Sequence, residues 1–186
     1  MDFFKLIEKR RSIREYLPQP VEPEKAALIV EAALRAPSSR GLNPWEFIVV
    51  DDPNLITELA KAKQHGSSFL QGAPLAAVVC ADPEKCDVWV EDASIASIYI
   101  SLAAEGLDLG SCWIQIRERA HNSEKTAEEF VRELLNIPPN IKVESIIAIG
   151  YPNRQIKGHQ REELQFEKIS QNSYGEKSPL ASGGRK

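Results

Sequence analysis

The stretch Pro74-Leu75-Ala76-Ala77-Val78-Val79-Cys80 constrains this chain more than any other. It carries no charge and no amide side chain, and its short length suits a strand bounded by turns. With apolar side chains at nearly every position it offers no face to water. It is therefore expected to lie within a sheet, buried on both faces.

Three further strands are expected at Trp45 to Val50, halted by Asp51-Asp52-Pro53, at Ser111 to Ile116, and at Val143 to Ile149, closed by Gly150-Tyr151-Pro152. Residues 2–10 read as a short amphipathic helix, after which Pro18 and Pro20 impose an extended connector. Pro23 suits the first turn of a second helix, whose apolar face is Ala26, Ala27, Ile29, Val30, Ala33 and Leu34. Asn54 is a candidate cap for a helix to about Lys63, and Ser123 for one through Leu135. Asp92 to Glu105 is rich in Ala, Ser and Ile with little charge around its circumference. That pattern marks a central helix packed on several sides, another subunit included. Pro37 to Pro44 is a polar, turn-forming loop. From Asn153 onward the chain is polar with scattered Leu164, Phe166, Ile169 and Tyr174, as in an extended arm, and residues 178–186 read as disordered.

With 186 residues, one domain with a sizeable core is expected. The longest apolar run, Ala73 to Ala81, is about half of a membrane span, and residues 1–15 have no apolar stretch ahead of a small-residue cleavage site. Cys80, Cys86 and Cys112 form neither a C-x-x-C pair nor an even secreted framework. The expectation is a cytoplasmic protein that engages neither membrane nor nucleic acid, since its net charge of −4 disfavours the basic face that nucleic acid requires.

Against that acidic background Lys9-Arg10-Arg11-Ser12-Ile13-Arg14 stands out. Residues 1–14 hold five Lys/Arg and two acids, a local charge of +3, which leaves −7 for the rest of the chain. Guanidinium forks grip phosphate oxygens in pairs, and the Ser12 hydroxyl adds a donor. A phosphate-bearing ligand is one reading. A solvated basic helix end complementing the helix dipole is the other.

The familiar catalytic motifs are missing. There is no G-x-G-x-x-G and no G-x-x-x-x-G-K-[ST] loop. His65, His121 and His159 have no metal-ligand spacing, so no metal is expected. Cys112 lies in an apolar strand, the setting of an inert thiol. No serine stands in a G-x-S-x-G elbow and no acid–base pair is evident. An enzyme of this composition would draw its reactivity from a bound cofactor.

Ser38-Ser39 with Asn43-Pro44-Trp45, set between a helix and a strand, resembles the S-S-x-x-x-[NQ]-P-W signature of the nitroreductase family. Arg10-Arg11-Ser12-Ile13-Arg14 is similar to that family's opening basic motif. Gly106 to Ile114 looks like its turn from central helix to strand, and Gly150-Tyr151-Pro152 like its closing strand. The four segments occur in the family's order across residues 3–175.

The resemblance implies an α+β fold, a mostly antiparallel mixed sheet flanked by helices, in a homodimer whose C-terminal arms are exchanged. Residues 1–175 would form the FMN-binding domain and residues 176–186 a flexible tail. FMN would lie at the subunit interface, with NADH or NADPH as electron donor and a small molecule as acceptor. Carried over by position, Arg10, Arg11 and Ser12 would hold the phosphate and ribityl chain, and Arg14 would approach the pyrimidine edge of the flavin. Pro37, Ser38, Ser39 and Asn43 would come from the other subunit. Backbone around Cys112, Trp113 and Ile114 would face the flavin N5. The family's late basic pair has Lys157 and Arg161 as candidates here, Arg161 preferred. Its frequent Gln-Asn pair in the central helix is replaced by Ser97-Ile98. The short segment between Trp113 and Val143 would leave the site open.

The activity implied is reduction of nitroaromatics, quinones or related acceptors by a ping-pong hydride mechanism. Specialised flavoenzymes of the same family (a dehalogenase, an azoline oxidase, a flavin-fragmenting enzyme), a non-enzymatic FMN-binding redox sensor and a cofactor-free dimer remain as alternatives on sequence alone.

Overall fold

A computed structural model describes residues 2–179. At its centre is an antiparallel sheet of β1 (Trp45–Val50), β2 (Leu75–Ala81), β3 (Gly110–Gln115) and β4 (Lys142–Gly150), in the spatial order β1-β2-β4-β3. All positions of β2 are buried, and all of β4 but the first, so the most apolar strands take the middle. Leu75 stands opposite Ile149, and Gly110 opposite Gly150. Where the β2–β4 register shifts, between Val79 and Cys80, Glu144 is left as the extra residue of a bulge. Every strand pair is antiparallel; parallel pairing enters through the isolated bridge from Ser12 to Ser111, on the outer side of edge strand β3.

Helices cover both faces. On one, α2 (Pro23–Leu34) and α4 (Trp89–Gly106) place Ile29, Ala33, Ala93, Ile100 and Ala104 against Val79, Ala81, Ile147 and Ile149. On the other, α3 (Pro53–Leu59) and α5 (Ala127–Leu134) place Ile56, Leu59 and Val131 against Val78, Cys80, Ile146 and Ala148. Successive residues of β2 thus feed opposite cores, the two-residue period of a strand, and this is why none of them can be polar. Inside the first core Ser97 of α4 meets Ser145 of β4, Oγ to Oγ at 3.0 Å. Towards solvent α4 presents Ile95, Ile98 and Tyr99.

Three helix starts differ from expectation, α4 beginning at Trp89, three residues ahead of Asp92. Asp52, not Asn54, caps α3: its Oδ1 accepts from the N–H of Asn54 at 2.7 Å, with Pro53 at the first helical position. That helix ends at Leu59 rather than near Lys63, because Ser67 Oγ folds back to donate to the Ala60 carbonyl at 2.8 Å. Thr126, not Ser123, caps α5, since only Thr126 has a glutamate three residues on. Thr126 and Glu129 bond each other's backbone N–H reciprocally.

The N-terminal helix α1 (Phe3–Lys9) is capped by Asp2 and buries no residue completely. Beyond β4 the arm runs back beside the N-terminal segment: Leu17 N–H donates to the Tyr151 carbonyl and Asn153 N–H to that of Glu15. It then crosses α1, where a Cβ on Gly158 would stand 1.8 Å from the Glu8 carbonyl oxygen. Of the expected tail, residues 180–186 lie outside the described residues. Within the remainder Lys177 bridges Ser170 and Ser178 is buried.

Candidate active site

The basic stretch leaves α1 at Arg10 and runs extended along the free edge of β3. Ile13 N–H donates to the Ser111 carbonyl at 2.9 Å and the Ile13 side chain is buried, while Arg14 is exposed. Two glycines make room for this segment. A Cβ on Gly110 would lie 2.6 Å from Ile13 Cγ1, and one on Gly150, directly opposite in the sheet, 2.5 Å from Pro74 and 2.9 Å from Tyr16. Tyr16 closes the segment by donating to the Ile13 carbonyl at 2.6 Å, and burial holds its phenol protonated far above its ordinary value.

The arginines divide around the arm crossing. Arg10 shares a cavity of about 450 Å³ with Arg161, His159, Glu8 and the apolar Phe4, Ile7 and Leu164. Arg11 points the other way: its Nη1 donates to the Lys157 carbonyl at 2.5 Å, and with Lys9, Arg154 and Lys157 it lines a second cavity of about 530 Å³. Ser12 and Arg14 border a smaller third one with Arg154 and Ile156. Lys9 is held by Glu105 at 3.3 Å and Asp108 at 3.2 Å, which ties this end of the site to the C-terminal end of α4.

Along β3, Ser111 turns its carbonyl outward to Ile13, whereas Ile116 N–H turns inward to the Glu144 carbonyl. Alternation therefore places the backbone groups of Trp113 and Gln115 on the free edge and those of Cys112 and Ile114 towards β4. Ile114 itself is a core side chain. Trp113 Nε1 donates to Gln115 Oε1 at 2.9 Å, and Gln115 Nε2 to Glu144 Oε1 at 3.0 Å. Burial pushes the Glu144 carboxyl up from its ordinary value, against the Gln115 bond and the charge of Arg117. The Cys112 thiol lies beneath the basic stretch. Burial pushes it up, while Arg14, the Ser12 hydroxyl, Arg10 and Lys63 draw it back. Cys80, deep in β2, is pushed up to about 12 by burial, so neither thiol is a ready nucleophile.

Two side chains here had no sequence signal. Lys63, from the loop after α3, approaches Cys112, and burial followed by the charge of Arg119 lowers its pKa. Phe69, from the short 3-10 turn Ser68–Gly72, lies under the Arg14 guanidinium at 5.7 Å from the ring centre. Neither belongs to a motif; tertiary approach brings them in.

The second loop is elsewhere. Ser38 Oγ donates to Asn43 Oδ1 at 2.6 Å and accepts from Asn43 N–H at 3.0 Å. Arg40, Gly41 and Asn43 all have positive φ. Ser39 N–H donates to Asp92 Oδ1 at 2.8 Å, in the first turn of α4. Asp92 and Glu105 are thirteen residues apart on one helix, roughly 20 Å at 1.5 Å per residue. Pro37, Ser38, Ser39 and Asn43 thus sit near one end of α4 and Arg10 to Arg14 near the other. The three cavities bordered by Arg10, Arg11, Ser12 and Arg14 include none of them.

This fold and these segments match known proteins. The model of the nitroreductase family covers residues 7–66 and 61–151. The chain belongs to the nitroreductase family. A relative from Archaeoglobus fulgidus, provisionally named an NADH dehydrogenase/NAD(P)H nitroreductase, is 40% identical over 152 residues, covering 80% of this chain and 84% of that protein. An FMN-dependent nitroreductase from Clostridium difficile R20291 superposes with a TM-score of 0.91 at 47% identity, over 92% of this chain and 99% of that one. At 24% identity, the NADPH:FMN oxidoreductase of Vibrio harveyi shares the fold, with a TM-score of 0.79 over 97% of this chain and 81% of that one.

The family match spans the basic stretch, the serine loop and β3, but ends at residue 151. The arm residues Lys157 and Arg161 therefore rest on geometry. That geometry sets Arg161, not Lys157, in one cavity with Arg10. Among the described residues no cluster of His, Cys, Asp or Glu could hold a metal ion, and no helix is long and apolar enough to cross a membrane.

Proposed function

We propose that this nitroreductase-family protein is an FMN-dependent NAD(P)H oxidoreductase, a cytoplasmic homodimer that reduces nitroaromatics, quinones or related small acceptors. One observation carries the reading: Arg10 and Arg161, from opposite ends of the chain, border one cavity at the end of α1, with Arg10 two residues ahead of the bridge from Ser12 to β3. Two guanidinium groups suit a phosphate dianion, each able to give paired charge-assisted hydrogen bonds. Ser12, half-buried and bridged to Ser111 of β3, would offer its hydroxyl to the ribityl chain. Arg14, steadied over Phe69, would face the flavin's pyrimidine edge, where positive charge favours the reduced form. The outward N–H groups of Trp113 and Gln115 would line the side where hydride enters and leaves. The donor set fits FMN.

When bound, FMN would carry a hydride equivalent from the nicotinamide to the acceptor. The protein's part is to hold both partners in turn at one open place beside β3, where position supplies much of the rate. That is a ping-pong scheme, and parallel lines in a two-substrate rate matrix are its expected signature. Intersecting lines would contradict it.

The separation along α4 supports a dimer. Residues 37–43 of one subunit would complete the site of the other, with Ile95, Ile98 and Tyr99 of α4 and the exposed Leu164, Ile169 and Tyr174 of the arm covered by the partner. Residues 1–175 act as a single FMN-binding domain, and the arm is exchanged. The experiment is FMN titration of the apoprotein by flavin fluorescence. One FMN per subunit is expected, with binding weakened by about 2 kcal/mol or more in Arg10→Ala. Unchanged affinity in that variant would remove Arg10 from the site.

A further inference from the structure

The serine loop is costly to hold in place. Arg40 and Asn43 have φ of 54° and 47°, in the left-handed region that non-glycine residues seldom occupy. Its internal bonds, Ser38 to Asn43, are exposed, as is the ion pair of Arg40 with Asp87. A buried tie binds it to the scaffold. Asp92, 2% exposed, accepts the Ser39 N–H at 2.8 Å through Oδ1, and Cys86, also 2% exposed, places Sγ 3.3 Å from Oδ2.

Asp92 is not a cap of its own helix. The capping position of α4 is Val88, which makes no side-chain bond, and the Asp92 carboxylate meets Ser39 and Cys86, both outside the helix. Both oxygens are thus directed at the loop and at Cys86. A carboxylate provides an acceptor for each of two donors, and its charge is favoured in the first turn of a helix.

We infer that Asp92, seconded by the Cys86 thiol, is a positioning residue that presents residues 38–43 to the flavin bound by the partner subunit. The inference rests on the composite FMN site proposed above. It adds a buried anchor, away from the flavin, that acts across the subunit boundary. Removal of Asp92 leaves the Ser39 N–H unpaired and the left-handed residues without their buried tie. The consequence falls on the partner's site, not on the Arg10 cluster of the altered chain.

Complementation between subunits tests this. Asp92→Ala should weaken FMN binding about tenfold or more in the homodimer, the loss expected when a half-buried donor loses its charged acceptor. Differently tagged Asp92→Ala and Arg10→Ala chains are then co-expressed and the heterodimer purified. It should bind one FMN per dimer with wild-type affinity, because one of its two sites pairs an intact basic cluster with an intact loop. Neither parent homodimer should have a tight site. A subunit that merely misfolds could not contribute such a site. Should Asp92→Ala fail to accumulate, Asp92→Asn, which keeps an acceptor for Ser39 but loses the charge, serves in the same cross and should weaken binding at least threefold. Wild-type affinity in the Asp92 homodimer would overturn the inference, as would a heterodimer with no tight site. If Arg10→Ala binds FMN normally, the phosphate reading fails instead, and the Asp92 homodimer still decides the anchor.

Discussion

Ile13 packs against the bare Cα of Gly110: a methyl group added there would stand 2.6 Å from Ile13 Cγ1. This contact sets how closely the basic stretch lies along β3. Gly110→Ala is predicted to destabilise the fold by about 1–3 kcal/mol through overpacking and to weaken FMN binding as the stretch is pushed away. Ile13→Ala in the same chain should recover part of the loss. Denaturant midpoints of the four members of a double-mutant cycle give the coupling; additive effects would show that the two residues do not press on each other.

The arm cations should separate in solution. Arg161→Ala is predicted to cost about 2 kcal/mol of FMN binding, as expected for a charge-assisted contact. Lys157→Ala should cost little, since its carbonyl, not its ammonium, meets Arg11. Raising salt should narrow the gap. Equal losses in the two variants would show that the cavity at the end of α1 is not the phosphate site.

Gly158 tests the arm crossing. No side chain fits where its Cβ would stand 1.8 Å from the Glu8 carbonyl oxygen, so Gly158→Ala must lift the arm from α1. Faster limited proteolysis within residues 153–170 is expected, together with weaker FMN binding, because Arg161 travels with the arm. An unchanged cleavage rate would mean that the crossing is absent in solution.

Glu144 predicts a pH dependence. Its carboxyl is pushed above the ordinary 4.5 by burial, so below that value it is protonated in both folded and unfolded chains. As pH rises the unfolded chain releases this proton first. Stability should therefore fall between 4.5 and the raised folded value. Glu144→Gln, which cannot ionise, should remove that component of the slope. Urea midpoints from pH 4 to 8 for both proteins provide the check, and parallel curves would show that Glu144 does not titrate differently on folding.

Much of the fold was legible because burial on two faces leaves an unmistakable apolar pattern, as in Leu75 to Ala81 and in the weakly charged α4. Helix starts were less so. Asp52 and Asn54, or Ser123 and Thr126, are chemically near-equivalent caps, and only the reciprocal partner Glu129 distinguishes Thr126. The packing role of Gly110 and Gly150 has no local signal, because the need for them comes from Ile13 and Tyr16, far away in sequence. The motif segments could be read as lying in one family's order, but not as two groups separated along α4. Lys63, Phe69 and Asp92 were invisible for the same reason: each meets the site through a tertiary approach.

The central claim is that the Arg10–Arg161 cavity is an FMN phosphate site in a redox enzyme. Its most direct test is the absorbance spectrum of the purified protein, with heat release and chromatography of the chromophore. FMN at close to one per subunit, bleached by NADH or NADPH, is the predicted result. FAD in its place, or no flavin uptake even after FMN is added, would contradict the account.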